Sequence, residues 1–281
     1  MTKQSRLRVG LIALLATVTL GITLATTTAQ NPVQTVQAAK SYSKAANQYV
    51  TVKKSGYAFW KTFGFKTKLH DSKNYLNHAL QVKRIYGRSD GSKYYSVYRG
   101  GKWYGYLNAK AAVSSKAYGV AVKPGKTLYV YANNKDKQGF HKDAGWADLN
   151  FKKKLYINLT PMPFTYTAKY EYFHSNGSTY YSLYRNKTWM GYMNASQVKK
   201  TDFLGSGVGS LRRPFYITAG DEGAKDKDDY IYNRSMKIVG KLAKGSKYRA
   251  KNAYNAADGG MFVSVYSSNG KSFKGYARHS W

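Results

Sequence analysis

The chain has 281 residues, 46 Lys and Arg against 13 Asp and Glu, a formal net charge of +33, 28 tyrosines and no cysteine. Without cysteine there are no disulfides, thiolate nucleophiles or cysteine metal sites, and papain-type chemistry is excluded. A charge of this size speaks to partners and solubility rather than to fold: either a plain solvated surface or a surface made for an extended polyanion.

Lys3, Arg6 and Arg8 precede an apolar run from Val9 to Ala25, then a Thr-rich segment ending at Val36-Gln37-Ala38. That order predicts a secretory signal peptide over 1–38, cut after Ala38. A retained anchor is the alternative, for which the apolar run is a little short. Removal takes three basic residues and leaves +30. No second apolar segment follows, so no membrane span is expected after processing. The chain stops at Trp281 without a sorting tail, so any hold on a cell is expected to be noncovalent.

Residues 39–48 read as a polar lead-in, and a first module as 49–113. Tyr49-Val50-Thr51-Val52, Tyr57-Ala58-Phe59-Trp60 and Leu80-Gln81-Val82-Lys83 alternate like half-buried strands. Asp90-Gly91 is a hairpin signal, followed by the strand Tyr94-Tyr95-Ser96-Val97-Tyr98, a Gly100-Gly101 turn and a strand from Trp103 to Asn108. Ala109 to Ala112 is expected to close the unit as one helical turn. The second module, 118–199, repeats the first at a constant offset of 86 residues from Phe65/Phe151 to Ala109/Ala195. Asn176-Gly177 takes the turn, and Asn133 to Trp146, rich in Lys, Asn and Gly, reads as an enlarged surface loop. Residues 200–210 carry Gly205, Gly207 and Gly209 and read as a flexible linker, with no phosphate-loop spacing. The third module, 211–281, keeps Asp258-Gly259 and lengthens the loop before Phe273 by two residues.

The repeated ending is Trp103, Gly105, Tyr106; Trp189, Gly191, Tyr192; and Phe273, Gly275, Tyr276. One ending used three times means one small unit built three times. The modules carry 13 basic against 2 acidic residues, 12 against 4, and 14 against 6, so the charge is distributed. Short dense strands in units of this size predict small, partly open β-barrels, because an isolated hairpin is marginal.

The run Tyr94 to Ala112, with Lys102-Trp103, Gly105-Tyr106 and Asn108-Ala109, resembles the end of a GW module. That resemblance implies a mostly β chain of three tandem SH3-like barrels, attached without covalent bonds to the envelope of a Gram-positive bacterium, chiefly through lipoteichoic acid. Gly-Tyr replaces the name-giving Gly-Trp in all three copies, and Gly145-Trp146 lacks the surrounding pattern and is not counted as a module end. Tyr232-Asn233 and Leu242 to Ser246 also faintly resemble S-layer wall-binding repeats, which would change the polymer and not the class of function.

Residues patterned for chemistry are few. His70, His78, His141, His174 and His279 have no metal-type spacing and do not recur between modules, so they read as surface polar positions. Asp221, Glu222, Asp226, Asp228 and Asp229 form an acidic cluster without EF-hand spacing, read as a solvated loop. No Gly-x-Ser-x-Gly elbow is present, and no catalytic residue, metal or cofactor is assigned. Within the Tyr94 strand, Tyr94, Ser96 and Tyr98 share one face and Tyr95 and Val97 the other. The repeated Trp103, Gly105 and Tyr106 are read as core packing and close backbone approach. Arg99, Lys102, Arg185 and Lys187, with Tyr98 and Tyr184, are the candidate polyanion contacts, because a small core needs no charge there. The expectation is a monomeric, extracellular, surface-associated protein that is not an enzyme. Its anticipated partner is a teichoic acid, with peptidoglycan or host and matrix polyanions such as glycosaminoglycan or extracellular nucleic acid as alternatives, and a cryptic wall hydrolase as the rival of another class.

Overall fold

The computed structural model describes residues 42–138, 141–160, 162–207, 215–218 and 230–279. The signal-peptide reading and the acidic cluster at 221–229 lie outside the described residues. The described chain is mostly β, with no α-helix and three short 3-10 turns, Ser72–Tyr75, Ala109–Ala111 and Ala195–Gln197.

Three antiparallel sheets follow one another. The first holds β1 (Tyr42–Val52), β2 (Ala58–Trp60), β3 (Lys68–Asp71), β4 (Ala79–Gly87), β5 (Lys93–Arg99), β6 (Lys102–Asn108) and β7 (Ala112–Ser115), in the order β3-β2-β6-β5-β4-β1-β7. The second holds β8 (Leu128–Ala132), β9 (His141–Trp146), β10 (Lys154–Thr160), β11 (Thr165–Phe173), β12 (Thr179–Arg185), β13 (Thr188–Asn194) and β14 (Val198–Thr201), in the corresponding order β10-β9-β13-β12-β11-β8-β14. The third holds β15 (Phe215–Thr218), β16 (Tyr230–Tyr232), β17 (Ile238–Lys241), β18 (Lys247–Asn255), β19 (Met261–Tyr266) and β20 (Phe273–Arg278), in the order β15-β18-β19-β20-β16-β17. Read from its other end, that is the same topology without the last strand. Among the described residues none of the sheets closes: each order runs between two edge strands, so the units are open sheets rather than closed barrels.

Alternation along the strands puts the cores where the period of two requires. Val97 is fully buried with Val50, Val52, Phe59, Leu80, Val82 and Leu107, while Tyr94, Ser96 and Tyr98 take the opposite face. Each such apolar side chain contributes about 1.5–3 kcal/mol on burial. Val130, Tyr166, Tyr181, Leu183 and Met193 fill the second core, and Ala250, Val263, Val265 and Ala277 the third.

Two segments depart from the sequence reading. Residues 42–48, expected as a lead-in, are the first half of β1, held by pairs such as Tyr42 with Gly87 and Ala45 with Arg84. Residues 141–146, expected as part of a surface loop, form β9, which pairs with β10 and reaches Tyr192 through Trp146. In both cases backbone pairing with a neighbour makes a strand of residues that show no apolar alternation.

Successive modules meet at joints built the same way twice. At the first, the N–H of Gly100 donates to Ser175 O (2.7 Å) and the N–H of Ser175 to Ala117 O (2.8 Å); at the second, Asn186 donates to Ala257 O (3.1 Å) and Ala257 to Phe203 O (3.0 Å). His78 bridges Phe173 in parallel at the first joint, and Phe164 bridges Asn255 at the second. Gly119 and Gly205, both at positive φ, turn the connecting chain back onto the preceding module, where a Cβ would meet Ala79 Cβ or the Thr165 hydroxyl. Residues 202–207 are therefore packed, not the flexible linker expected: Leu204 is fully buried with Tyr254, Ala256, Phe262 and Tyr276. Asp202 accepts the N–H groups of Leu204 and Gly205 and grips the Arg234 guanidinium with both oxygens.

The corresponding tip of the third module is built differently. Its hairpin 267–272 folds on itself: Gly270 donates to Ser267 O, Ser272 to the Ser267 hydroxyl, and Lys251 Nζ closes on Gly270 O (2.7 Å). Ser267 stands where Arg99 and Arg185 stand in the other two.

Candidate functional site

One group of side chains recurs in all three modules on the outward face of the central hairpin. Lys83 Nζ lies 4.2 Å from the centre of the Tyr98 ring, Lys169 4.7 Å from Tyr184, and Lys251 4.1 Å from Tyr266. Each tyrosine is opposite the first aromatic residue of the next strand, Trp103, Trp189 or Phe273. That residue meets the following tyrosine edge to face at 5.4 Å: Trp103 with Tyr106, Trp189 with Tyr192, Phe273 with Tyr276. A third tyrosine completes the set at right angles, in the pairs Tyr86–Tyr106, Tyr172–Tyr192 and Tyr254–Tyr276 at 5.3–5.5 Å, the last pair buried with Leu204 rather than facing outward.

The strand sequence explains the placement. Tyr98 and Ser96 share the outward face, and a register shift between Val97 and Tyr98 sets Trp103 against Tyr98. The Trp103 indole N–H then donates to the Ser96 hydroxyl (3.1 Å), as Trp189 does to Ser182 (3.0 Å). Phe273 has no such donor, and Ser264 instead accepts the N–H of Asn252. Trp103 and Trp189 are each 37% exposed and Phe273 50%, so the core-packing reading of the tryptophans is corrected: they are plates on the surface.

Gly105, Gly191 and Gly275 do sit at a close backbone approach. A Cβ there would lie 2.8 Å from Trp60 O, 3.0 Å from Trp146 O and 2.7 Å from Tyr232 O, and φ is 122°, 108° and 140°. β2, β9 and β16 cross at this point, and only glycine admits them. Gly145-Trp146 belongs to this crossing strand in the second module.

Among the tyrosines, burial and a neighbouring phenol push Tyr106, Tyr172 and Tyr254 above the ordinary value. Their hydroxyls stay protonated at neutral pH. The face thus offers an aromatic plate and an ammonium group, the surface that stacks on a sugar or polyol and pairs with phosphate.

The other sequence-predicted residues divide. Lys102 and Lys187 are exposed at the hairpin tips beside this face. Arg99 and Arg185 instead lie in the joints, each with a buried Nε that has no protein partner. Arg185 packs 4.0 Å above the Phe164 ring and reaches Gly259 O. Their surroundings are the joint, which answers the argument that nothing structural needs charge there. Lys83, Lys169 and Lys251 were missed, although their recurrence at offsets of 86 and 82 residues was available in the sequence. The histidines are not simply surface positions either. His174 is buried, donates from Nε2 to Leu149 O and accepts the Asn176 N–H at Nδ1; His78 stacks on Phe173 at 4.3 Å.

Among the described residues there is no group of three His, Cys, Asp or Glu side chains placed to hold a metal ion, and no helix long and apolar enough to cross a membrane. A polar cleft of about 430 Å³ opens at the second joint, lined by Lys200, Thr201, Ser206, Arg234, Asn252 and Tyr254 among others.

No family model and no curated protein matches the chain. Among solved structures it is similar to a chain described as a "putative autolysin" from Listeria monocytogenes, at 14% identity, covering 85% of this chain and 96% of that one, with a TM-score of 0.27. A superposition that loose carries no argument about function.

Proposed function

We propose that this chain is a secreted, GW-like protein that holds the bacterial envelope by binding an anionic wall polymer, lipoteichoic or wall teichoic acid, through tandem SH3-like modules. The observation that carries the reading is the threefold recurrence of the lysine, tyrosine and exposed aromatic plate on one face of each hairpin. A single exposed contact of this kind is weak, about 1 kcal/mol or less. Three on one chain multiply, by roughly 10² to 10⁴ in effective affinity. The net charge of +33 raises the local concentration of any polyanion and makes the association sensitive to salt. The reading involves no catalysis.

The test is co-sedimentation of the protein with purified walls, before and after teichoic acid removal, across a salt series. Binding falls with salt and with loss of the polymer, and K83A/K169A/K251A lowers it by roughly tenfold or more. Binding indifferent to all three changes defeats the proposal, and release of muropeptides from the walls would establish a hydrolase instead.

A further inference from the structure

We infer that the joints fix the three binding faces at equal, repeating steps, so that the chain selects one long polymer strand over short pieces of the same polymer. The inference rests on the polymer-binding reading and adds to it the length of ligand that is recognised.

The two joints share one backbone pattern. Each hairpin tip places a residue at positive or left-handed φ, Gly100 (58°) or Asn186 (46°), and its N–H donates to the second residue of the next module's turn. That residue, Ser175 or Ala257, donates in turn to the connecting chain. A Cβ on Gly100 would come within 3.1 Å of Asn176 O, and one on Gly259 within 3.2 Å of Asn186 Cβ, so little room is left for sliding. Arg99 and Arg185 fill the same position beneath the tips, their Nε atoms buried. The connecting chain adds a second tether: Val122 exchanges both backbone bonds with Glu171 (3.0 and 2.8 Å), and Leu204 is buried against the third module.

Because the contacts repeat, the operation that carries the first module onto the second also carries the second onto the third. A heterologous contact repeated in this way generates a screw-like progression. The Lys83, Lys169 and Lys251 faces therefore advance by one step each time. Sites held at set spacing present a polymer with a high effective concentration for the second and third contacts, without the loss that a wandering linker imposes. A fragment too short to leave one module gains nothing from the arrangement.

The joints can be loosened without touching the faces. Ser175 and Ala257 are the second residues of turns closed by Gly177 to His174 O and by Gly259 to Ala256 O, a position that accepts proline. S175P/A257P removes one N–H donor from each joint, the one to Ala117 O or to Phe203 O, and sets a ring in its place. R99A/R185A is the milder second pair, should the proline protein fold poorly. The measurement is titration of each full-length protein with purified glycerol-phosphate teichoic acid, separated into a short and a long fraction, with small-angle scattering to report the joints. The unaltered protein binds the long fraction at least roughly tenfold more tightly than the short. The loosened proteins scatter as a broader set of shapes, keep the short-fraction affinity, and lose most of the preference for length. Equal affinity of the unaltered protein for both fractions overturns this inference and leaves the polymer reading intact. So does a loosened protein that retains the full preference, or a variant whose scattering does not change. Binding to neither fraction overturns the polymer reading and this inference with it.

Discussion

Asp143 is fully buried in the second module, where the Tyr166 hydroxyl donates to it at 2.7 Å and its other oxygen has no protein partner. Burial pushes its carboxyl up to about 6, against the pull of the Tyr166 bond and the Arg185 charge. In the unfolded chain the same group ionises near pH 4. The folded state therefore holds the proton more tightly between those values, and stability falls as pH rises through that window, then levels off. The loss is about 3 kcal/mol at most. D143N keeps the acceptor for Tyr166 without the charge, so it melts higher than the parent at pH 7 and declines less between pH 4 and 6. Thermal melts across pH check both points. Sequence reasoning passed over this residue because Lys142-Asp143-Ala144-Gly145 has no apolar alternation: the buried positions are an acid and a glycine. The repeated glycines were legible for the opposite reason, since a Gly kept at one place in three diverged copies points to backbone.

The hairpins were the most legible elements. Asp90-Gly91, Asn176-Gly177 and Asp258-Gly259 mark turns by local chemistry alone, and the strands after them carry a clear period of two. Joints are different, because what buries Arg99 is a turn some 75 residues further along the chain. The two joints, alike in backbone, differ in side chains. His78 and His174 both lie near Arg99 at the first, and Phe164 and Ala256 take their places at the second. Burial, then the Arg99 charge, holds His78 below the ordinary imidazole value; burial, with Arg99 adding, does the same to His174. The Tyr75 ring lies beside His78 and the Tyr180 ring beside His174, and neither brings a carboxylate to the joint. A free imidazole takes up its proton near pH 6.5, so the open joint binds protons that the closed one refuses, and closure weakens as pH falls below that value. Protonation of His174 at Nδ1 also removes the acceptor for the Asn176 N–H. Between pH 7 and 5, amide exchange corrected for its intrinsic rate rises at Gly100 and Ser175 and stays level at Asn186 and Ala257. H78F/H174A, which copies the second joint, removes the difference; equal behaviour of the two joints in the parent protein would show that these histidines do not control it.

For the whole molecule, composition and repetition were the informative signals. Threefold recurrence, a net charge of +33 and the absence of cysteine were readable before any fold, and together they point to many weak contacts rather than one tight site. What composition left open was which side of each repeat faces outward. That was settled by the sheets, which turn Val97 in and Tyr98, with Lys83 above it, out.

A contact that joins the tip of one unit to the turn of the next, by the same operation each time, has no natural last member. Proteins built on such contacts form fibres unless something stops them. Here the turn at Arg88–Gly91 in the first module has the same backbone as its counterparts and lies open to solvent, a ready docking point for a tip from another molecule. The third tip is two residues longer, carries Ser267 in the arginine position and is folded shut by Lys251. A tip closed in this way is expected to act as a stopper against growth from one molecule to the next. Replacing 267–272 with the four residues 185–188 removes the stopper, and sedimentation velocity then shows end-to-end growth that rises with concentration, where the parent protein shows none.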